Sequence, residues 1–142
     1  MNGIVVGVKQ FAPSVIPLRA TPDSVGFDLR SSSELIIPPG EVVQAHTNLS
    51  MSIPSGIFGM FCSRSGLARD GLVVANAPGI IDPDYRGEII VLLRNMTDTE
   101  ITVPANKKIA QILFVPAFYV RFDIENELSD TVRGAGRFGS TG

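Results

Sequence analysis

The sequence has one cysteine, Cys62, so an internal disulfide is excluded. Its one histidine, His46, together with that single cysteine, excludes a structural zinc site of the usual four-ligand kind. Charge is scarce too: 18% of the 142 residues are Asp, Glu, Lys or Arg, with a net charge of −2. A pI near 5.3 gives no electrostatic reason to expect duplex nucleic acid or an anionic membrane as a partner. No apolar run approaches the length of a membrane span. The opening MNGIVVGVKQF lacks the basic start, long apolar region and small-residue cleavage site of a signal peptide. The expectation is therefore an intracellular, soluble protein, cytoplasmic or nuclear. The glycosylation patterns Asn48-Leu49-Ser50 and Asn95-Met96-Thr97 are then chance matches.

Helix is equally scarce. Ten prolines, spread from Pro13 to Pro116, would break most long helices. Between them lie short β-branched stretches bounded by Pro, Gly, Asn and Asp, which predicts an all-β sandwich or barrel. Alternation is clearest from His46 to Ile53, where even positions are polar and odd ones mostly apolar. EIIVLLRN is apolar on both faces and should be covered on both sides, in part by another subunit. The best helical candidate is a turn or two over Ser65 to Arg69. The length suits one domain: a β domain over 1–128, then a Gly-rich extension over 129–142. At 44% hydrophobic residues and a mean hydropathy of +0.25, some apolar surface is expected to be buried between subunits.

Chemistry could reside in several stretches. The tail RGAGRFGSTG contains GAGRFG, which fits the dinucleotide G-x-G-x-x-G pattern, but that pattern needs a strand before it and a helix after it. Its composition nevertheless suits phosphate, through glycine N–H groups, Arg133 and Arg137, and the hydroxyls of Ser140 and Thr141. Phe138 could stack on a base; the plain alternative is a frayed end. In FCSRSGLA, Arg64-Ser65-Gly66 ahead of a helical turn is either an anion site or a corner with a serine cap and a solvated arginine. In NAPGIIDPDYRGEI, Asp82 and Asp84 flank Pro83 at a turn between apolar strands. They either cap that turn or supply a general base or metal partner. In SVGFDLRSS, Asp28 falls on the face opposite Phe27 and Leu29, a costly place unless the carboxylate is solvated, paired or near a metal. In PANKKIAQILF, Gln111 sits in an apolar strand and Asn106 suits a positive-φ turn. His46 reads as structural and Cys62 as a small core residue. No Ser or Cys has an evident His-plus-acid partner, which disfavours a covalent hydrolase.

Taken in order and spacing, SVGFDL, SRSGLA, NAPGIIDPDYRGEI, KKIAQILF and RGAGRFGSTG resemble the five motifs of the trimeric dUTP diphosphatase (dUTPase) family, over Ser24 to Gly142. The resemblance implies a jelly-roll-like β-barrel or sandwich with a mobile C-terminal arm. It implies a homotrimer with sites at the subunit interfaces: phosphate groups from one chain, a nucleoside hairpin from a second, a lid from the third. The family reaction takes dUTP and water to dUMP and diphosphate with Mg2+, limiting uracil in DNA and supplying dUMP for thymidylate synthesis. By motif position, Asp82 would be the general base that activates water at the α-phosphorus. Asp28 would hold magnesium through water. Arg64, Ser65, Gly66 and Gln111 would bind phosphate. Asn76 and the hairpin backbone, with Gly79 and Ile81, would pair with uracil, and a tight hairpin would exclude thymine's methyl. Tyr85 would lie beneath the deoxyribose and crowd out a 2′-hydroxyl. From the lid, Arg133, Gly139, Ser140 and Thr141 would reach the phosphates, and Phe138 would stack on the base.

Three departures from the family pattern stand out. Ser63 replaces the proline usual before Arg64, which should loosen the approach to it. Lys107 reverses a usual acidic charge. Arg137 replaces a glycine, which would impose strain if that position needs positive φ. Two other readings share the fold: a dCTP deaminase, which the aromatic Phe138-Gly139-Ser140-Thr141 lid disfavours, and a binding or regulatory protein without catalysis, which the intact Asp28, Arg64, Ser65, Asp82, Tyr85 and Phe138 disfavour. Cellular and viral members of the family look alike at this level.

Overall fold

The computed structural model describes residues 3–140. In chain order its strands begin with β1 (Gly7–Gln10), β2 (Leu18–Arg19), β3 (Phe27–Arg30), β4 (Leu35–Ile37), β5 (Val42–His46) and β6 (Leu49–Ser52). They continue with β7 (Ile57–Ser63), β8 (Leu72–Val74), β9 (Gly79–Ile81), β10 (Ile90–Asn95), β11 (Ile101–Val103) and β12 (Lys108–Pro116). One short helix, α1 (Ser65–Arg69), lies between β7 and β8, where the sequence predicts it. No helix among the described residues is long and apolar enough to cross a membrane.

The largest sheet has five strands in the order β2-β3-β12-β7-β9, and a three-stranded sheet runs β5-β10-β8. Two-stranded pairs, β1-β6 and β4-β11, complete a jelly-roll-like sandwich in which each pairing is antiparallel. One core joins the sheets. Leu29, Phe61, Ile109 and Ile112 come from the large sheet, and Ala45, Val74, Val91 and Leu93 from the smaller. Each of the larger of these side chains, Ala45 aside, contributes about 1.5–3 kcal/mol on burial.

The alternation seen from His46 to Ile53 holds only in part, because Ser50 is buried with its apolar neighbours, and it does not run as one strand. Asn48 adopts φ 57°, and the run breaks there into β5 and β6. Thr47, the weak point of the pattern, is 1% exposed, and its hydroxyl donates to the Ile89 carbonyl at 2.7 Å. In β10, Val91, Leu93 and Asn95 are buried while Ile90 and Leu92 stay half-exposed, so only one face of this doubly apolar strand is covered.

Asn95 is fully buried and hydrogen-bonded on both sides of its amide. Nδ2 donates to the carbonyls of Ile37 (2.9 Å) and Thr99 (2.6 Å), and Oδ1 accepts from the N–H and hydroxyl of Thr97, both at 2.8 Å. The amide thus ties β4 to the β10–β11 turn and is closed to glycosylation. Beyond β12 the picture changes. From Phe118 to Ser140 every described residue is exposed, and Phe118, Val120, Phe122 and Ile124 alternate with Tyr119, Arg121, Asp123 and Glu125. That is the pattern of a strand with one apolar face and no strand partner among the described residues.

Replacing Asn95 by Ala orphans several buried groups. We expect a loss of at least about 1–3 kcal/mol, the cost of one unpaired buried group, read as a lower denaturant midpoint at unchanged slope.

Candidate active site

Three elements of the large sheet and its connections build the main cleft, of about 750 Å³. Asp28 of β3 lies opposite Gln111 of β12, and Gln111 lies opposite Cys62 of β7, so one row crosses three strands. A Cβ at Gly26 would fall 2.7 Å from the Gln111 amide oxygen, so a side chain there would have to push that amide aside. Asp28 is 8% exposed and survives there because two cations hold it. Arg64 Nη1 bonds its Oδ1, and Lys108 Nζ stands 2.6 Å from its Oδ2. Ionic pairing of this kind is what permits a carboxylate inside an apolar strand.

Arg64 is the N-cap of α1 in extended conformation, and no side chain caps the helix. The backbone N–H groups of the first turn therefore have no partner within the helix, and Ser65 and Gly66 line the cleft. Asn106 takes up φ 63°, its N–H donates to the Ser31 carbonyl at 2.9 Å, and its own carbonyl accepts from Arg30 at 2.7 Å. This turn places Lys107 and Lys108 on the cleft wall. Arg30, Arg64, Lys107 and Lys108 face Asp28 and Asp70 there, an excess of positive charge in a chain whose net charge is −2. The Arg69 hydrogen bond, with the charges of Arg69 and Lys107, holds Asp70 below its ordinary range. Such a cleft suits a polyanion.

A smaller pocket, about 220 Å³, lies on the hairpin side and is lined by Asn76, Gly79, Ile81, Asp82, Tyr85 and Glu88 among others. β9 pairs with β7, and a Cβ at Gly79 would overlap the Phe61 ring, so glycine lets the hairpin lie flat on the sheet. Asp82 closes its turn through its carbonyl, which accepts the Tyr85 N–H at 3.1 Å. No side chain among the described residues pairs with its exposed carboxylate. Among the described residues the two pockets share no lining side chain.

The lid residues Arg133, Phe138, Gly139 and Ser140 are exposed and reach neither pocket's lining, and Thr141 lies outside the described residues. Two of the three departures turn out otherwise than the sequence suggests. Ser63 tightens its corner: its Oγ accepts the Val74 N–H at 2.9 Å and its carbonyl accepts Gln111 Nε2 at 3.3 Å. Arg137 is not among the positive-φ positions of the tail, which are Gly134 and Gly139, so it carries no such strain. Lys107 joins the cleft as an added cation. Lys108 and Glu88 escaped the sequence reading. Their roles depend on strand register, which no local pattern displays.

Among the described residues no three His, Cys, Asp or Glu side chains form a metal cage. A magnesium ion that keeps its waters and is held mostly by phosphate needs only one carboxylate nearby. Asp28 fits that demand: each oxygen takes one cation, and the remaining lone pairs can accept from coordinated water. It does not fit direct coordination, which would displace Arg64 or Lys108.

Glu88 carries a linked charge. Burial pushes it up, but the His46 hydrogen bond and the Asn48 N–H outweigh that and hold it below the ordinary glutamate range. A lowered carboxylate pKa stabilises the fold above the unfolded value of about 4.3 and ceases to do so as pH falls through the folded one. The stability gap between the native chain and Glu88→Gln should therefore be present at neutral pH and close in acid, as read from denaturant midpoints down a pH series.

Known proteins resemble this chain in sequence and in fold. A family model described as dUTPase matches residues 12–142. The chain is 43% identical over 150 residues to the deoxyuridine 5′-triphosphate nucleotidohydrolase of Desulfitobacterium hafniense, covering 100% of this chain and 99% of that one. It is 44% identical over 130 residues to the same enzyme of Nautilia profundicola, covering 91% and 92%. Among solved structures it resembles the dUTPase of Staphylococcus bacteriophage 80alpha with dUPNHPP, at TM-score 0.90 and 24% identity over 97% of this chain and 98% of that one. It also resembles a mutant dUTPase from phage phi11 of S. aureus, described as revealing the coordination of a structural Mg(II) ion. There the TM-score is 0.83 at 21% identity, over 89% of this chain and 99% of that one.

Proposed function

The chain belongs to the dUTPase family, and we propose that it hydrolyses dUTP to dUMP and diphosphate at sites shared between copies of itself. The observation that carries the reading is the division of one motif set into two separate pockets. The positive cleft of Asp28, Arg64, Ser65, Gly66 and Gln111 suits a triphosphate, and the hairpin pocket of Asn76, Asp82 and Tyr85 suits a nucleoside. Asp82 can serve the phosphate only if a hairpin from another copy approaches the cleft.

Arg64, the free N–H groups of Ser65 and Gly66, and Gln111 bind and orient the phosphates, with Lys107 as an added cation. Asp82, exposed and unpaired by any described side chain, holds the attacking water and takes its proton at the carboxylate. Asn76 and the backbone of Gly79 and Ile81 read the uracil edge, since fixed backbone donors and acceptors discriminate it from cytosine. Tyr85 lies against the deoxyribose. Arg133, Phe138, Gly139, Ser140 and Thr141, on the arm over 129–142, close over a neighbour's nucleotide, with Phe138 stacked on the base. Magnesium, held by the phosphates and reached by Asp28 through water, would neutralise phosphate charge.

A homotrimer is supported by two unpartnered apolar surfaces. The alternating segment from Phe118 to Ile124 offers one, and a groove of about 370 Å³ lined by Val6, Val8, Phe27, Met51 and Phe114 offers another. Phe122→Glu should leave a folded chain of lower oligomeric mass in sedimentation, with loss of turnover. An unchanged trimer would rule the segment out as a contact.

The reaction itself is tested by diphosphate release with magnesium from dUTP, UTP, dCTP and TTP. Fast release from dUTP alone is expected, and ammonia from dCTP would overturn the assignment. Asp82→Asn should lower kcat by about 10²–10⁴-fold while a non-hydrolysable dUTP analogue binds as before. Undiminished turnover would remove Asp82 from the role of base.

A further inference from the structure

We infer that Glu88 is a positioning residue for Tyr85 and sets how strictly the site refuses a 2′-hydroxyl. The inference rests on the reading that Tyr85 meets the deoxyribose. The Tyr85 side chain has two rests. It lies over Gly87, where a Cβ would collide with it, and its hydroxyl donates to the Glu88 carbonyl at 2.9 Å. Both rests belong to the segment 86–88, so the ring is held only as firmly as that segment.

Among the described residues, the hydrogen bonds of the segment 82–88 are local except at the Glu88 carboxylate. The Tyr85 N–H reaches the Asp82 carbonyl, and Arg86 reaches the carbonyls of Pro83 (2.6 Å) and Tyr85 (2.9 Å). Among the described residues, the hydrogen bonds that tie this segment to another part of the fold come from the Glu88 carboxylate. Oε2 accepts from His46 Nδ1 at 2.8 Å, and Oε1 accepts the Asn48 N–H at 2.8 Å. Asn48 presents that N–H from its left-handed turn between β5 and β6. The next residue is already stitched into the sandwich: the Ile89 N–H donates to the Leu49 carbonyl at 2.8 Å, and its carbonyl accepts the Thr47 hydroxyl. Glu88 is thus the last anchor before the turn runs free. One residue grips the frame with its side chain and Tyr85 with its carbonyl.

Rejecting one added hydroxyl is a matter of how little room the site leaves, and a ring free to swing leaves more. The test measures kcat and KM for dUTP and UTP in Glu88→Ala, Glu88→Gln and Tyr85→Ala. Glu88→Ala should lower the ratio of kcat/KM for dUTP over UTP by about tenfold, the low end of what pocket contacts discriminate. The fall should come through KM rather than kcat. Glu88→Gln keeps a carbonyl for the Asn48 N–H and should restore part of the ratio. If Tyr85→Ala collapses the ratio while Glu88→Ala does not, the inference is wrong and the reading of Tyr85 stands. If Tyr85→Ala leaves the ratio intact, that reading fails and takes the inference with it. Should Glu88→Ala not fold, His46→Ala removes one of the two anchors from an exposed position. A smaller fall in the same ratio then supports the inference, and no fall overturns it.

Discussion

The structure depends on the pairing of one carboxylate with two cations. Asp28 stands in an apolar strand, nearly out of water, and a lone carboxylate there would cost several kcal/mol. Arg64 arrives from the end of β7 and Lys108 from the start of β12, the two strands that pair along most of their length. The ion pairs therefore join three stretches of sequence that are distant along the chain. They also fix where Arg64 points, and with it the mouth of α1. A loop with that much charge could adopt many geometries, and satisfying Asp28 removes most of them.

The second consequence is electrostatic. Once Asp28 is satisfied, the cleft still carries more cations than carboxylates, because the Asn106 turn brings Lys107 alongside Lys108. An acidic chain thus holds a basic site. The excess is local, and within a recessed wall it acts on a phosphate far more strongly than scattered surface charge would.

Much of this was legible beforehand. Short β-branched runs between prolines and glycines reveal the β class, and the helical turn at Ser65 to Arg69 is visible from its apolar residues and flanking glycine. The residues of both pockets stand out as types misplaced for their surroundings: an Asp and a Gln in apolar strands, an Asp-rich turn before Tyr85. The partners of those residues were not legible. Lys108 looks like any turn lysine until β12 is set against β3, with a register shift between Lys108 and Ala110. Ser63 looks like a weakened proline until β8 brings the Val74 N–H to its hydroxyl. His46 and Glu88 are 42 residues apart and meet only because β5 and β10 pair.

By itself the sequence determined the class of fold and the residue types available for phosphate and base. Those are properties of periodicity and composition, and each can be read within a window of about ten residues. Only the tertiary structure decided which groups face one another. It set Asp28 between two cations, concentrated positive charge in one cleft, separated that cleft from the hairpin pocket and anchored Tyr85 through Glu88. The physical reason is register. A strand shifted by one residue turns every side chain to the other face, and nothing local to Asp28, Gln111 or Glu88 states which residue will lie opposite.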